Sequence, residues 1–367
     1  MRIYAAYDDG LRIVDPATGA VETRLSGQRV ECLSIANPAP GGDEGADADG
    51  ADRVDADGAD RVDADGADRA DAADATDPPR VLAGTFGAGL FRSVDGGNRF
   101  ACVAAATLGP EGAGPDAVTA VATSPHDPAV VWIGTEPSRA YRSVDGGETA
   151  ERVGGLTDLS SADEWSFPPR PDTHHVRWIE PCPADPERWL FGIEAGALVV
   201  TADGGETWTD RPPGSRRDTH AMATHPDAPD RVYAAAGDGF AESDDRGDSW
   251  RVRDAGLYHG YVWGLAVDPG DPDTALVSAA EGATAAHRSG EAYLYRYRRG
   301  EGFERLDDRG FPTREGTYRA ALAAGRAAGE IWALSDRGLF VTRDAGDSFE
   351  QVPVNLPDRA ARALAVA

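Results

Sequence analysis

Five copies of one octad constrain this chain more than any other feature: SVDGGNRF (93–100), SVDGGETA (143–150), TADGGETW (201–208), SDDRGDSW (243–250) and TRDAGDSF (342–349). Each reads Ser/Thr-x-Asp-x-Gly-x-x-aromatic, except that the second ends in Ala150. A tight hairpin needs glycine where φ turns positive, and a short carboxylate that accepts hydrogen bonds from the N–H groups of the turn. Asp95, Asp145, Asp203, Asp245 and Asp344 therefore read as structural residues, not catalytic ones. Successive octad aspartates are 50, 58, 42 and 99 residues apart, so the last interval holds two repeat units. YLYRYRRGEGFERL (293–306) supplies the missing one, and GLRIVDPATGAVETRL (10–25) keeps the same strand, turn, strand order near the start. That makes seven units.

The octad resembles the Asp-box, or BNR, repeat of sialidases, sortilin-type receptors and photosystem-assembly propellers. The surrounding text is all-β, with short runs of Val, Ile, Tyr, Trp and Ala between Gly, Pro and Asp clusters. The fold class expected is a seven-bladed β-propeller of four-stranded antiparallel blades. Each blade runs from an inner strand through a Pro/Asp turn, a second strand, a short hairpin and a third strand to the octad and an outer strand. The run ARALAVA (361–367) is an inner strand with no blade after it, while RIYAAY (2–7) begins at a second strand. Pairing the two closes the ring and removes the sheet edges. The sialidase catalytic set does not transfer, because Arg2-Ile3 is followed by Tyr4 inside that strand.

Composition narrows the partners. Acids outnumber bases by 63 to 36, every base is arginine, and the formal charge is −27. Such a surface repels nucleic acid and anionic membranes, and it is similar to the surfaces of proteins from salt-accumulating halophiles. No run of eighteen apolar residues exists, and the chain opens directly on a strand, so a cytoplasmic monomer is expected. Cys32, Cys102 and Cys182 lie far apart and read as small buried residues. Residues 39–79 carry near-perfect copies of DRVDADGA in a tract of Ala, Asp and Gly, which is expected to be a disordered acidic insertion. DADGAD (55–60) lacks the twelve-residue frame and closing Glu of a calcium loop.

The blade order assigns functional residues to the face opposite the octads. Counting back from the turn prolines aligns Cys32, Thr119, His175, His220 and Trp263 near the ends of the inner strands, with Arg319 at the corresponding place in the last blade. The hairpins on that face bring Asp8, Glu136, Glu194, Asp238, Glu281 and Asp336, so six carboxylates are expected around one opening. Two longer connections add Trp165, Arg170, His174, His175, Arg177 and Trp178, then Tyr258, His259, Tyr261 and Trp263, with Tyr318 beside Arg319. Aromatic, Arg and His enrichment of this kind suits a pocket wall. The plainer reading is that Trp178 and Trp263 fill the core, that His174 caps a turn and that acids simply favour hairpins.

Two chemistries fit these groups. His174, His175 and His220 with Glu194 or Asp238 could ligate a divalent cation. Alternatively, Glu136, Glu194 and Asp238 are the carboxylates of a glycoside hydrolase or lyase, with Arg177 and Arg319 pairing an acidic substituent and Trp165 or Trp263 stacking on a sugar. The expectation drawn is a binding module for a small polar or glycan-like ligand or a partner protein at the His-rich face. Hydrolysis and a protein-assembly scaffold are the alternatives.

Overall fold

A computed structural model describes residues 1–36, 78–109 and 114–367. The acidic insertion expected at 39–79 lies outside them apart from its last two residues. Seven four-stranded antiparallel blades form a ring, the sixth carrying a fifth short strand, Arg314–Glu315. The inner strands are Ala363–Val366 in blade 1, then Val30–Ala36, Ala117–Thr123, Val176–Cys182, Thr219–Thr224, Tyr261–Asp268 and Ala321–Ala324 in blades 2 to 7. Blade 6 is built by the expected degenerate repeat, whose third strand is Glu291–Arg298. The ring closes as expected, with Ala363, Leu364, Ala365 and Val366 opposite Ala6, Ala5, Tyr4 and Ile3.

Small residues allow the blades to approach. Ile3–Tyr7 and Val232–Ala236 are second strands buried along their whole length, because each is covered on both faces by neighbouring blades. Where the next inner strand crosses closest, the second strand of blade 3 carries Gly134, and a Cβ there would lie 2.5 Å from Val176 of blade 4. Large aromatics fill the wider gaps further out, among them Trp132, Trp189 and Phe191.

The five octads fold into one turn. In each, the Ser or Thr hydroxyl lies within hydrogen-bond distance of the Asp carboxylate and accepts the N–H of the glycine four residues on, as in Gly97 N–H to Ser93 Oγ at 2.8 Å. The Asp carboxylate accepts the N–H of the residue four beyond it, as from Thr207 to Asp203 at 2.9 Å. Those bonds favour the charged form, first through the Arg99 N–H at Asp95 and the Thr207 hydroxyl at Asp203, and both aspartates sit at about 2. The turns also join blades: Gly205, at φ +95°, would push a Cβ to 2.7 Å from Trp132 of the preceding blade. Arginines complete the seam, Arg2, Arg188 and Arg296 each donating to an octad carbonyl of the next blade, Gly96, Arg246 and Ala345. His126 and His225, in inner-strand turns, do likewise to the Cys182 and Pro269 carbonyls at 3.0 Å.

Cys32 and Cys182 are buried, but Cys102 is exposed, because Ala101–Val103 is the outermost strand of its blade. Among the described residues no helix is long and apolar enough to cross a membrane.

Candidate functional site

Five inner strands share an irregularity. Their pairing with the second strand slips by one residue at Glu31, Thr119, Arg177, His220 and Trp263 in blades 2 to 6. A β-bulge at this point turns its side chain away from the regular alternation and commonly re-aims it toward a site. Here the bulged residues ring the axis. Below them runs a narrow channel of about 100 Å³, lined by all seven inner strands. Above them opens a mouth of about 570 Å³.

This register corrects the sequence alignment in two blades. The equivalent positions are Glu31 and Arg177, not Cys32 and His175. In blade 4 Pro181 lies inside the strand and Pro183 is the turn proline, which moves the equivalent position two residues on, from His175 to Arg177. His175 nonetheless reaches the mouth from just before the strand.

Six arginines face the mouth, Arg29, Arg170, Arg177, Arg288, Arg319 and Arg362, against four carboxylates, Glu31, Glu136, Glu194 and Asp218. In a chain of charge −27 this is a reversed local balance. Several of these charges are already matched. Arg170 grips Glu136 through both carboxylate oxygens, Nε to Oε1 at 2.7 Å, and Glu136 is 2% exposed. Arg362 reaches Glu31 at 2.9 Å, and Arg29 pairs with the same acid. Arg29 and Arg170 both lie over the Phe86 ring, at 4.7 and 5.4 Å from its centroid, and Arg170 also lies 4.9 Å from that of Phe167.

The other side of the mouth is less matched. Arg319 and Arg177 lie over the Trp263 ring at 4.0 and 4.8 Å. Arg319 donates to the Ala361 carbonyl and to His287 Nδ1, so His287 presents Nε2–H to the Tyr261 hydroxyl at 2.9 Å. Burial, then the Arg319 charge, pushes His287 down to about 3, and it is neutral. Burial first, then repulsion by Arg177 and Arg362, lowers Arg319 to about 9, leaving it charged at neutral pH. Yet among the described residues Arg319 has no carboxylate within salt-bridge reach, and Arg177 reaches only Glu194, at 3.7 Å.

Glu194 stands at the junction of mouth and channel. His175 Nε2 donates to its Oε2 at 2.9 Å, and burial, which alone would raise it, is outweighed by that bond and by the nearby His175, His220 and Arg177. The carboxyl is held down at about 2. Asp218 is pushed up, by burial first and by the Glu194 charge. Glu194 Oε1, Asp218 Oδ2 and His220 Nε2 converge within 4.8 Å of one another, the one such His and carboxylate group among the described residues that could hold a metal ion.

The mouth thus gathers Arg170, His175, Arg177, Tyr261, Trp263, Arg319, Glu136 and Glu194, with His220 beneath it. Other sequence candidates lie elsewhere. Trp165 is a core residue whose Nε1 donates to Ser161 Oγ, and it packs edge-on against His174 at 5.6 Å. His174 is therefore not with His175 and His220, because consecutive residues of an extended chain point opposite ways. Trp178 lines the channel and donates to Glu180. Tyr258 is 81% exposed, His259 stacks on Tyr293 at 4.0 Å, and Tyr318 is held by Asp336 and the Arg288 carbonyl, all outside the mouth. Asp238 borders a separate shallow depression beside Asp218. Of six hairpin carboxylates expected around the opening, only Glu136 and Glu194 line it. Asp8 is taken up by Arg362, Asp336 by the Tyr318 N–H, and Glu281 lies off the rim.

Comparisons reach the fold and stop there. No family model and no curated protein matches the chain. Among solved structures it is similar to a GH74 enzyme from Niastella koreensis (14% identity, TM-score 0.63, 94% of this chain and 50% of that one) and to the GH74 xyloglucanase from Xanthomonas campestris (17%, 0.60, 99% and 52%). It is also similar to YCF48 bound to a D1 peptide (15%, 0.50, 74% and 78%). An ancestral GH74 enzyme aligns over 36% of its own length, so this chain spans about a third to a half of the GH74 proteins.

Proposed function

We propose that this propeller is a binding module whose mouth takes a small polar or glycan-like ligand carrying an anionic group. One observation carries the reading: Arg319, 8% exposed and stacked on Trp263, is a positive charge at the mouth without a carboxylate partner among the described residues. A buried guanidinium left so is costly, and a planar anion that it can fork onto relieves the cost. Arg177 lies over the same buried indole, so two guanidinium donors meet at one place in the mouth. That is the pairing a sugar acid would use, and the YCF48 likeness keeps an acidic peptide of a partner protein as the second occupant to try.

Hydrolysis fits less well. A glycosidase needs a carboxyl that keeps its proton beside one that does not. Glu136 is bound at both oxygens by Arg170 and Asp238 is outside the mouth. The one asymmetric pair among the described residues that line it is Asp218, pushed up by burial, beside Glu194, held at about 2, and there Glu194 is already engaged by His175. The acidic exterior belongs with a halophilic, cytoplasmic and monomeric protein in this reading, its carboxylates spread along the chain.

The test is a melting series in molar KCl with a hexuronic acid, the matching neutral hexose and an acidic peptide. Saturating ligand raises stability by mass action, about 2.7 kcal/mol at a hundredfold excess over Kd. The uronic acid is expected to raise the melting temperature and the hexose not. Arg319→Ala should abolish the shift, whereas Tyr258→Ser should leave it. A shift from the peptide alone would move the function to a protein partner; no shift from either acid would refute the reading.

A further inference from the structure

His220 is 1% exposed and its imidazole is fixed from one side: Nδ1 donates to the Val262 carbonyl at 2.8 Å. In the neutral ring Nε2 then carries a lone pair, and that atom is buried with no hydrogen-bond partner. It looks toward two carboxylate oxygens, Asp218 Oδ2 at 3.7 Å and Glu194 Oε1 at 4.0 Å. A lone pair facing two anions has nothing to gain from either. Each of the three groups is also tied down by its other atom. Glu194 Oε2 accepts from His175 Nε2 at 2.9 Å, and Asp218 Oδ1 accepts the Ala195 N–H at 2.7 Å. The outer atoms are committed and the inner atoms are free.

We infer that His220 Nε2, Glu194 Oε1 and Asp218 Oδ2 hold a single first-row divalent cation of the zinc, cobalt or manganese class at the floor of the mouth. An imidazole with two carboxylates is a borderline donor set, which suits these ions better than calcium or magnesium. Bonds of about 2.1 Å at tetrahedral angles separate ligand atoms by roughly 3.4 Å, so the observed spacings close by small side-chain rotations. The bonds from His175, Ala195 and Val262 are the outer contacts that orient metal ligands and fix the histidine tautomer. Three protein ligands leave a coordination position for a bound molecule. The inference stands independently of what the mouth binds.

Cobalt(II) is the probe, because its visible d–d absorption is strong and shifted to longer wavelength in a low-symmetry protein site and only weak for hydrated ions held diffusely on an acidic surface. Full-length protein stripped with chelator is titrated with Co²⁺ in molar KCl, then with Zn²⁺ in competition. One saturating equivalent is expected. His220→Ala and Asp218→Asn should each weaken it by roughly a hundredfold or more, beyond the tenfold to hundredfold typical of outer-contact losses, while His126→Ala leaves it unchanged. If His220→Ala does not fold, the near-isosteric Asp218→Asn decides alone. Absence of a saturable equivalent, or unchanged affinity in Asp218→Asn, overturns the site.

Discussion

The two faces of the ring use the same residue types to opposite ends. On the octad face, His126 and His225 each meet a carbonyl of the next blade, and every octad carboxylate is met by a backbone N–H and by hydroxyls. On the mouth face, His175 Nδ1, His220 Nε2 and Arg177 Nε are buried without partners, and Arg319 has no counter-charge among the described residues. The first face repeats a solved local problem blade after blade. The second repeats nothing and leaves imidazole nitrogens and a guanidinium charge unmatched, whereas the unpartnered Nε atoms beside the octads, at Arg80, Arg142 and Arg296, belong to guanidinium groups already engaged through another nitrogen. Unmatched groups cost stability and are retained where an external group completes them. The difference separates a face selected for cohesion from one open to a ligand.

The comparison is broken most forcefully at the octads. Gly205→Ala puts a Cβ against Trp132 and Val153 at positive φ, and should cost roughly 2–5 kcal/mol, read as a fall in denaturant midpoint. If that variant were as stable as the parent, the turns would not hold the blades together. Next in size is the reverse case: Arg177→Leu removes a partly buried, poorly matched guanidinium and should leave the melting temperature within about 2 °C or raise it, by the logic that poorly paired charges withdrawn from water destabilise. The same variant should lose the response to the uronic acid. A stability loss as large as that of Gly205→Ala would show that the mouth is held together like the other face.

The smallest effect concerns acid. Asp203 has a folded pKa of about 2, below the ordinary value near 3.9, so its bonds add stability that is complete above pH 4 and lost as pH falls toward 2. Asp203→Asn should flatten the acid-unfolding profile in that window and leave the profile above pH 5 parallel to the parent. An unchanged slope between pH 4 and 2 would mean that the carboxylate is not held by the turn.

The fold was legible because the octad is local chemistry written out five times. Hydroxyl, carboxylate and glycine meet within eight residues, so sequence order is spatial order. The mouth is assembled from strand ends and loops of all seven blades, and there the sequence speaks only through the blade frame. That frame was enough to bring Glu136, Glu194, His220 and Trp263 to one side, but a bulge of one residue and a second proline at Pro181 shifted blade 4. Asp218 was missed although it stands two residues before His220, since it precedes the strand and belonged to no hairpin in the frame. His287 was missed because its helical turn, Ala285–Ser289, has no counterpart in the other blades. Partnering decided the rest: Trp165 and His174 look like pocket residues in sequence and spend their surface on each other.

Blade 1 carries a consequence for the order of assembly. Its inner strand and its second strand are paired residue for residue across more than 350 positions of chain. Every other blade is made of strands that follow one another along the chain, even where an insertion separates two of them in blade 2, and can take shape while the remainder is still unstructured. Blade 1 must wait for the whole circuit. The entropy of closing so long a loop grows only as its logarithm, so the delay is one of kinetics more than of stability. Until that splice is made, Ile3–Tyr7 offers an unpaired apolar edge, and the time spent in that state, not the strength of the finished ring, sets the hazard of association with another copy.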